Sequence, residues 1–333
     1  MESAQRFAAV KWPQLGLGSN ELKVDARVNI LVTGSAGFLG GTIVRQAEAL
    51  GNKTSGLNRS SGEYQVDLSS KVPELEHHFD LVVHCAGKAH SVPRTPEEKQ
   101  LFYDVNVAGT KNLLAGLRKP PSRFVFISSV AVYGVESGLQ IAENHELAGV
   151  SPYAKSKIAA ESIVHDWGKS NSVPVSILRL PLIVGPDAPG NLGNMIHAIR
   201  RGRYVSINGG TARKSMVLAD DVAKCIFSPA LGPGTYNLTD GQHPSFRELE
   251  DLICGQLGRK RPINIPHFVA SMLGLVGDVI PKFPISSATI QKMTADLTFD
   301  DSRARDEIGW NPDRVVEHFR IGTDARLLHA GST

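Results

Sequence analysis

The stretch TGSAGFLG, residues 33 to 40, follows a short apolar run and opens a helix. Its three glycines stand at Gly34, Gly37 and Gly40. Glycine lets such a turn tighten and lets the backbone approach a pyrophosphate, while the helix N-terminus offers N–H donors and the positive end of a dipole. The strand, turn and helix in this order predict a dinucleotide-binding loop. The residues expected to hold the cofactor here are Gly34, Ala36, Gly37, Phe38, Leu39 and Gly40.

Around this loop, short β-branched runs alternate with longer helical segments from Val28 onward. Several of the runs are nearly continuously apolar, as parallel strands covered on both faces should be. The pattern predicts an α/β fold, a Rossmann-type doubly wound parallel sheet with a smaller C-terminal substrate-binding lobe. The predicted strands are VNILVTG, KTSGL, YQVD, DLVVHCA, RFVFISS and VPVSILRL, with GTYNL returning later as one more.

The regular alternation of predicted strands and helices ends after Pro181, where loops rich in glycine and proline begin. Residues 1–27 read as an N-terminal extension. The NAD(P)-binding Rossmann domain is predicted over 28–180 and 214–240, and the substrate-binding lobe over 181–213 and 241–330.

Composition excludes several classes of function. The net charge of the 333 residues is only +3, and no basic run is longer than Arg200 to Arg203, so no nucleic-acid footprint is expected. Three scattered cysteines favour a reducing cytoplasm, and no metal-ligand spacing occurs. The longest apolar passages, such as Phe268 to Val276, are too short to cross a bilayer, so no membrane partner is predicted.

The stretch GLNRSSG, residues 56–62, stands where an acidic residue would normally hold the ribose hydroxyls of NAD. Asn58 replaces that acid, and Arg59, Ser60 and Ser61 follow. A guanidinium and hydroxyls suit a 2′-phosphate better than a bare ribose. These residues favour NADP(H), with NAD(H) as the alternative.

Two further stretches carry groups suited to proton transfer. In SPYAKSKIAAE, residues 151–161, the Ser-Pro pair fits an N-cap and first helical position, so Tyr153 falls in the first turn and Lys157 lies on the same face. Tyrosine, with an unperturbed pKa of about 10, is a poor base at neutral pH, and a neighbouring ammonium favours its phenolate. In FISSVAVYG, residues 126–134, two serines end a strand at the edge where doubly wound sheets bind ligands.

Together, the G-x-x-G-x-x-G loop and the Y-x-x-x-K pair resemble the extended short-chain dehydrogenase/reductase family, also called the NAD-dependent epimerase/dehydratase family. The resemblance runs from residue 28 to about residue 315. It implies that Tyr153 is the proton shuttle, that Lys157 holds the nicotinamide ribose and lowers the pKa of Tyr153, and that Ser129 is the catalytic hydroxyl. Ser128 is implied in a supporting role.

Other family motifs extend the expected site. VDL implies an adenine contact by Asp67 and Leu68, HCAGKAH implies a loop beneath the cofactor, and NVAGTKNLL places Asn106 under the active site. The cofactor contacts implied beyond the glycine loop are Asn58, Arg59, Ser60, Asp67, Leu68, Ala86, Gly87, Lys88, Asn106, Ser128, Tyr153, Lys157 and Pro181. The implied substrate contacts are Lys88, His90, Ser129, Val130, Tyr153, Asn191, Arg213 and Lys214.

The two residues after Ser129 bear on which reactions of the family this chain can catalyse. Sugar-nucleotide 4,6-dehydratases of the family carry Thr-Asp-Glu here, whereas this chain has Ser129, Val130 and Ala131, which supply no acid. The resemblance therefore implies an enzyme that is not a 4,6-dehydratase and that moves a hydride and a proton at C4 of a UDP-hexose.

Three functions stay open. The tail MTADLTFDDSRARDEIGWNP resembles that of bacterial UDP-4-keto-6-deoxy-hexosamine reductases, so a 4-reductase is favoured. The alternatives are a UDP-hexose or UDP-N-acetylhexosamine 4-epimerase and, from another class, a non-catalytic NAD(P)-binding regulator. The resemblance also implies a homodimer through helices near Glu97 to Leu117 and Pro152 to Gly168.

Overall fold

The structure is a computed structural model, and it describes residues 28–89, 93–279 and 286–322. The predicted extension, residues 1–27, lies outside the described residues. The strands are β1 Asn29–Thr33, β2 Lys53–Asn58, β3 Tyr64–Gln65, β4 Leu81–His84, β5 Arg123–Ser129, β6 Gly138–Ile141, β7 Val175–Leu180, β8 Leu182–Val184, β9 Val205–Ile207, β10 Met216–Leu218, β11 Gly234–Asn237, β12 Ile263–Ile265 and β13 Leu297–Phe299.

Helices fill most of the connections between these strands. The α-helices are α1 Phe38–Ala49, α2 Pro96–Tyr103, α3 Gly109–Gly116, α4 Pro152–Asn171, α5 Gly190–Arg200, α6 Ala219–Ile226, α7 Phe246–Leu257, α8 His267–Val279, α9 Ser287–Thr294, α10 Ser302–Ile308 and α11 Val315–His318. A π-helical turn, Asp104–Ala108, joins α2 to α3.

The central sheet has seven parallel strands in the order β11-β7-β5-β4-β1-β2-β3. Successive side chains of β1 point to opposite faces, so that Val32 joins one core with α1 and α6 while Leu31 joins another with α3 and α4. Both faces are buried, which is why these strands read as continuously apolar. The predicted doubly wound α/β fold is confirmed, and GTYNL returns to the sheet as β11.

Three small parallel pairs lie outside the main sheet: β8 with β10, β9 with β12, and β6 with β13. The sequence analysis did not predict them, because strands of three or four residues are too short to show a period. The pair β9–β12 and helices α8 and α9 form a unit whose buried residues are Ile207, Ala270 and Ile290. The division of the chain into two domains stays a prediction.

The helices in the described part of the chain include none with both the length and the apolar character of a transmembrane span. Within the same residues, no group of three or more His, Cys, Asp or Glu side chains is placed to hold a metal ion.

Candidate active site

The glycine loop is built so closely that side chains would not fit. Gly34 has a φ of +68°, and a Cβ there would lie 2.9 Å from the Ala86 nitrogen. A Cβ at Gly40 would fall inside contact distance of the Gly34 carbonyl oxygen, so α1 starts directly against the turn. Bare backbone therefore faces the cavity at the N-terminus of α1, which suits a pyrophosphate.

The loop opens on a cavity of about 510 Å³. Most of the residues expected to hold the cofactor line it. Phe38, Leu39 and Gly40 do not, because they form the first turn of α1 behind the loop. The expected cofactor residues Asn106, Ser128, Tyr153, Lys157 and Pro181 also lie outside the lining. The lining consists of Gly34, Ala36, Gly37, Leu57, Asn58, Arg59, Ser60, Ser61, Val66, Asp67, Leu68, Ser69, Cys85, Ala86, Gly87, Lys88, Leu101 and Val105.

Sequence reasoning missed several apolar lining residues, among them Leu57, Val66, Leu101 and Val105. An apolar side chain at a strand end or on a helix has the same appearance in the sequence whether it packs in a core or against a ligand. Leu57, Val66 and Cys85 lie within the quoted stretches GLNRSSG, VDL and HCAGKAH, although none of the three was assigned a contact.

At the end of β2, Asn58 braces the glycine loop. Its Oδ1 accepts a hydrogen bond from the Ala36 nitrogen at 3.0 Å, and its Nδ2 donates to Ser35 Oγ at 2.6 Å. Arg59 and Asp67 line the cavity beside it. Hydrogen bonds from Ser69 lower the pKa of Asp67, and the positive charge of Arg59 contributes to the lowering. This end of the cavity offers a cation and hydroxyls, as the sequence predicted.

Asn106 lies in the π-helical turn between α2 and α3. The sequence predicted one uninterrupted helix here, whereas the structure has a wider π-helical turn between two α-helices. Asn106 is buried, accepts a hydrogen bond from the Lys88 nitrogen at 2.7 Å, and donates to the Lys88 carbonyl at 3.1 Å and to Ser156 Oγ at 2.8 Å. It therefore fixes the loop of Gly87 and Lys88 against α4.

The predicted catalytic side chains meet where β5 ends and α4 begins. Ser151 caps α4 by accepting a hydrogen bond from the Ala154 nitrogen at 3.1 Å, which holds Tyr153 in the first turn. Tyr153 lies close enough to Ser129 for the Ser129 hydroxyl to lower the pKa of Tyr153. Ser129 Oγ also accepts from the Ala131 nitrogen at 3.2 Å, so its position is fixed by the turn after β5.

Lys157 is not among the described groups that shift the pKa of Tyr153, so its expected lowering of that pKa stays a prediction. Burial raises the pKa of Tyr153, and the Ser129 hydroxyl offsets only part of this rise. Lys157 is 6% exposed and donates to the Ile127 carbonyl at 2.7 Å; burial lowers its pKa to about 8. The Lys157 ammonium therefore points toward β5. With burial raising its pKa, Tyr153 keeps its proton at neutral pH.

Ser128 faces away from Ser129, toward a buried ion pair. It donates a hydrogen bond to Glu161, and Arg179 holds the same carboxylate through two hydrogen bonds of 3.1 and 2.8 Å. Ser128 therefore contacts α4 and does not line the cavity, and its expected supporting role stays a prediction. The sequence analysis missed Glu161 and Arg179, although Glu161 follows Lys157 by one helical turn on the same face.

The expected substrate contacts are spread more widely. Lys88 lines the cavity, with its Nζ 5.5 Å from the centre of the Phe102 ring. Arg213 donates to the His243 carbonyl at 3.1 Å, and burial lowers the pKa of Lys214. His90 lies outside the described residues.

Three other expected contacts also lie away from the cavity lining. Val130 opens a 3₁₀ turn after β5, Pro181 follows β7, and Asn191 is in α5. None of these three, nor Arg213 or Lys214, lines the described cavity, and their contacts with substrate or cofactor remain predictions.

Replacing Gly40 tests the fit of the loop. Gly40→Ala is expected to lower the free energy of unfolding by about 1–3 kcal/mol, as overpacking does, and to weaken dinucleotide binding because the turn must open. Gly255→Ala in α7 is the matched control. Nothing lies near its Cβ, so it should raise stability by up to about 1 kcal/mol. Denaturant unfolding and fluorescence titration measure both, and a Gly40→Ala variant that binds normally would contradict the geometry.

The sheet, the glycine loop and the trio at its carboxyl edge define a Rossmann-type dinucleotide-binding protein. The chain belongs to the NAD dependent epimerase/dehydratase family, whose model matches residues 30–232. It is therefore an enzyme of the short-chain dehydrogenase/reductase type, as the sequence resemblance implied.

Two curated proteins illustrate the similarity. The N-acetyl-alpha-D-glucosaminyl-diphospho-ditrans,octacis-undecaprenol 4-epimerase of Escherichia coli O157:H7 is 28% identical, with 83% of this chain and 88% of that protein covered. The UDP-glucose 4-epimerase of Vibrio cholerae is 26% identical, covering 91% and 97%. Among solved structures, the Thermotoga maritima UDP-glucose 4-epimerase with UDP-glucose has a TM-score of 0.68 at 20% identity, covering 87% and 95% of the two chains. This last likeness concerns the fold alone.

Proposed function

We propose that this chain transfers a hydride and a proton at C4 of a UDP-hexose, and that it acts as a 4-reductase of a 4-keto-6-deoxy-hexose or hexosamine. The observation that carries the proposal is the placement of Tyr153 beside Ser129 at the carboxyl edge of the sheet. A cytoplasmic location, expected from the scattered cysteines, is part of the same proposal.

Tyr153 is placed to donate the proton that reduction of a keto group requires. Such a reduction needs a proton donor at the oxygen, and a half-buried tyrosine whose pKa is raised by desolvation keeps its proton at neutral pH. Ser129 aligns the oxygen beside it, and the buried Lys157 holds the end of β5 in place through the Ile127 carbonyl. NADPH, when bound, supplies the hydride. Val130 and Ala131 offer no acid for dehydration.

A 4-epimerase is the second candidate, and the names of the relatives favour it. The relatives from E. coli and V. cholerae are both 4-epimerases. An epimerase would use the same trio, with Tyr153 first accepting and then returning the proton. The sugar of the E. coli relative is carried on undecaprenyl diphosphate, so a lipid-linked carrier belongs among the substrates to be tested.

A cofactor and substrate assay distinguishes these candidates. The purified protein is denatured, any released dinucleotide is identified, and fresh protein is mixed with a UDP-4-keto-6-deoxy-hexosamine and NADPH. We expect stoichiometric loss of the reduced nicotinamide absorbance. Retained NAD with interconversion of UDP-N-acetylhexosamines, or of undecaprenyl-diphosphate N-acetylhexosamines, without net cofactor use would replace the reductase by an epimerase.

The proposed preference for NADPH rests on Arg59, which lines the cavity next to Asn58. Arg59→Ala is expected to raise the KM for NADPH by about tenfold or more, because a charge-assisted hydrogen bond contributes about 1.5–3 kcal/mol, and to change the KM for NADH little. Arg118→Ala, which removes an exposed arginine on another surface, serves as the control. An equal rise in the KM for NADPH and for NADH would show that Arg59 does not bind the 2′-phosphate.

A further inference from the structure

Helix α8 has one face packed in the protein and another left in solvent. Ala270 is buried, and a Cβ at Gly274 would lie 2.6 Å from Ile290 of α9, so this side is tightly packed. On the other side Phe268, Met272 and Leu275 are 68%, 66% and 64% exposed. Their spacing of four and three residues places them in one stripe along the helix.

The exposed apolar residues of the described chain concentrate here. Ten large hydrophobic side chains are exposed, and five of them fall between residues 263 and 276. We call these five, Ile263, Phe268, Met272, Leu275 and Val276, the α8 surface. A helix facing water normally carries polar residues on its outer side, whereas a contiguous apolar patch marks an interaction site.

A basic cluster lies beside the α8 surface. Strands β9 and β12 are parallel, with Val205 opposite Ile263, so the segments that lead into them run side by side. Both segments are basic and exposed, and the one carboxylate paired with them in the described chain is that of Asp251, which holds Arg261 at 2.6 Å. The cluster comprises Arg201, Arg203, Arg259, Lys260 and Arg261.

The two features are close in the chain and in the fold. Ile263 is the first residue of β12, two positions after Arg261, and Phe268 follows Arg261 by seven positions. Even a fully extended chain would place Phe268 within about 25 Å of Arg261. Apolar side chains flanked by excess positive charge are the combination that anionic bilayer surfaces bind.

We propose that the α8 surface docks this protein onto an anionic phospholipid bilayer. The sequence predicted no membrane partner because no apolar passage is long enough to cross a bilayer, but surface docking does not need such a passage. The apolar stripe enters the boundary between headgroups and acyl chains, and the basic cluster faces the anionic headgroups. With 13 residues, α8 is about 20 Å long and cannot cross a hydrocarbon core of about 30 Å, so it lies in the surface. A second copy of the chain is a poorer occupant, because a twofold contact would bring the same positive charge to the interface twice.

The test is sedimentation of the full-length protein with vesicles of phosphatidylcholine alone or mixed with phosphatidylglycerol. We expect binding to the anionic vesicles that weakens as salt is added. Neutralising Arg259, Lys260 and Arg261 to Gln should reduce the partition coefficient by about fivefold per charge near the surface. The triple variant Phe268→Ser, Met272→Ser, Leu275→Ser should reduce it at least about tenfold.

A matched triple variant provides the control. Leu50→Ser, Val72→Ser and Leu139→Ser remove exposed apolar side chains outside the α8 surface and should leave binding unchanged. Equal vesicle binding by wild type and the α8 triple variant, or no binding by the wild type, overturns the proposal. Light scattering is run in parallel, since an α8 variant that loses only dimerisation would assign the surface to a second copy instead. Sugar turnover is not needed for either readout, so this test is independent of the proposed function.

Discussion

Tyr153→Phe is expected to lower kcat by about a hundredfold to ten-thousandfold, the range that general acid catalysis contributes. The variant keeps the ring, which packs edge-on against Phe102 with centroids 6.2 Å apart, and removes only the hydroxyl that meets Ser129. Binding of the dinucleotide and the free energy of unfolding should change little. Steady-state kinetics with the substrate found in the cofactor assay measures the loss.

The control for this variant is Tyr236→Phe. The Tyr236 hydroxyl donates to the Pro233 carbonyl at 3.3 Å, away from β5 and α4, and its removal should leave kcat within about twofold because the remote site is independent. If Tyr153→Phe kept full activity in the cell, the chain would be acting as a non-catalytic NAD(P)-binding regulator.

Glu161→Ala is expected to lower the free energy of unfolding by about 3–5 kcal/mol, as the loss of one partner of a buried ion pair does. The side chains of Glu161 and Arg179 are only 6% and 7% exposed, so removing the carboxylate leaves a buried guanidinium without its counter-charge. It also removes the acceptor of Ser128 on the catalytic strand. Urea denaturation of the purified protein measures the change.

The double variant Glu161→Met, Arg179→Met shows how much of the lost stability comes from leaving one charge buried without its partner. It removes both charges together and should lose less stability than either single replacement, because neither charge is left buried alone. A double variant as unstable as the sum of the two single variants would show that the residues act independently. Tyr133 and the Glu143 carbonyl, which also accept hydrogen bonds from Arg179, would then carry the stability.

The sequence alone determined the fold and predicted the central residues of the candidate site. Continuous apolar runs indicated parallel strands, since both faces of such a sheet are covered. The glycines indicated the tight turn after β1, because a Cβ at Gly34 or Gly40 would collide with backbone. Ser151 and Pro152 indicated where α4 begins, and this placed Tyr153 in its first turn. All of these signals are local, and each has one dominant physical cause.

Only the tertiary structure decided how side chains distant in sequence meet. Glu161, Ser128 and Arg179 come from one helix and two strands, and each polar residue by itself would equally suit a solvent-exposed face. The same holds for Asn106, whose π-helical turn and three hydrogen bonds depend on Lys88 and Ser156. The protonation of Tyr153 and the direction of Lys157 follow from burial, which is a property of the assembled layers and of no single segment of the chain.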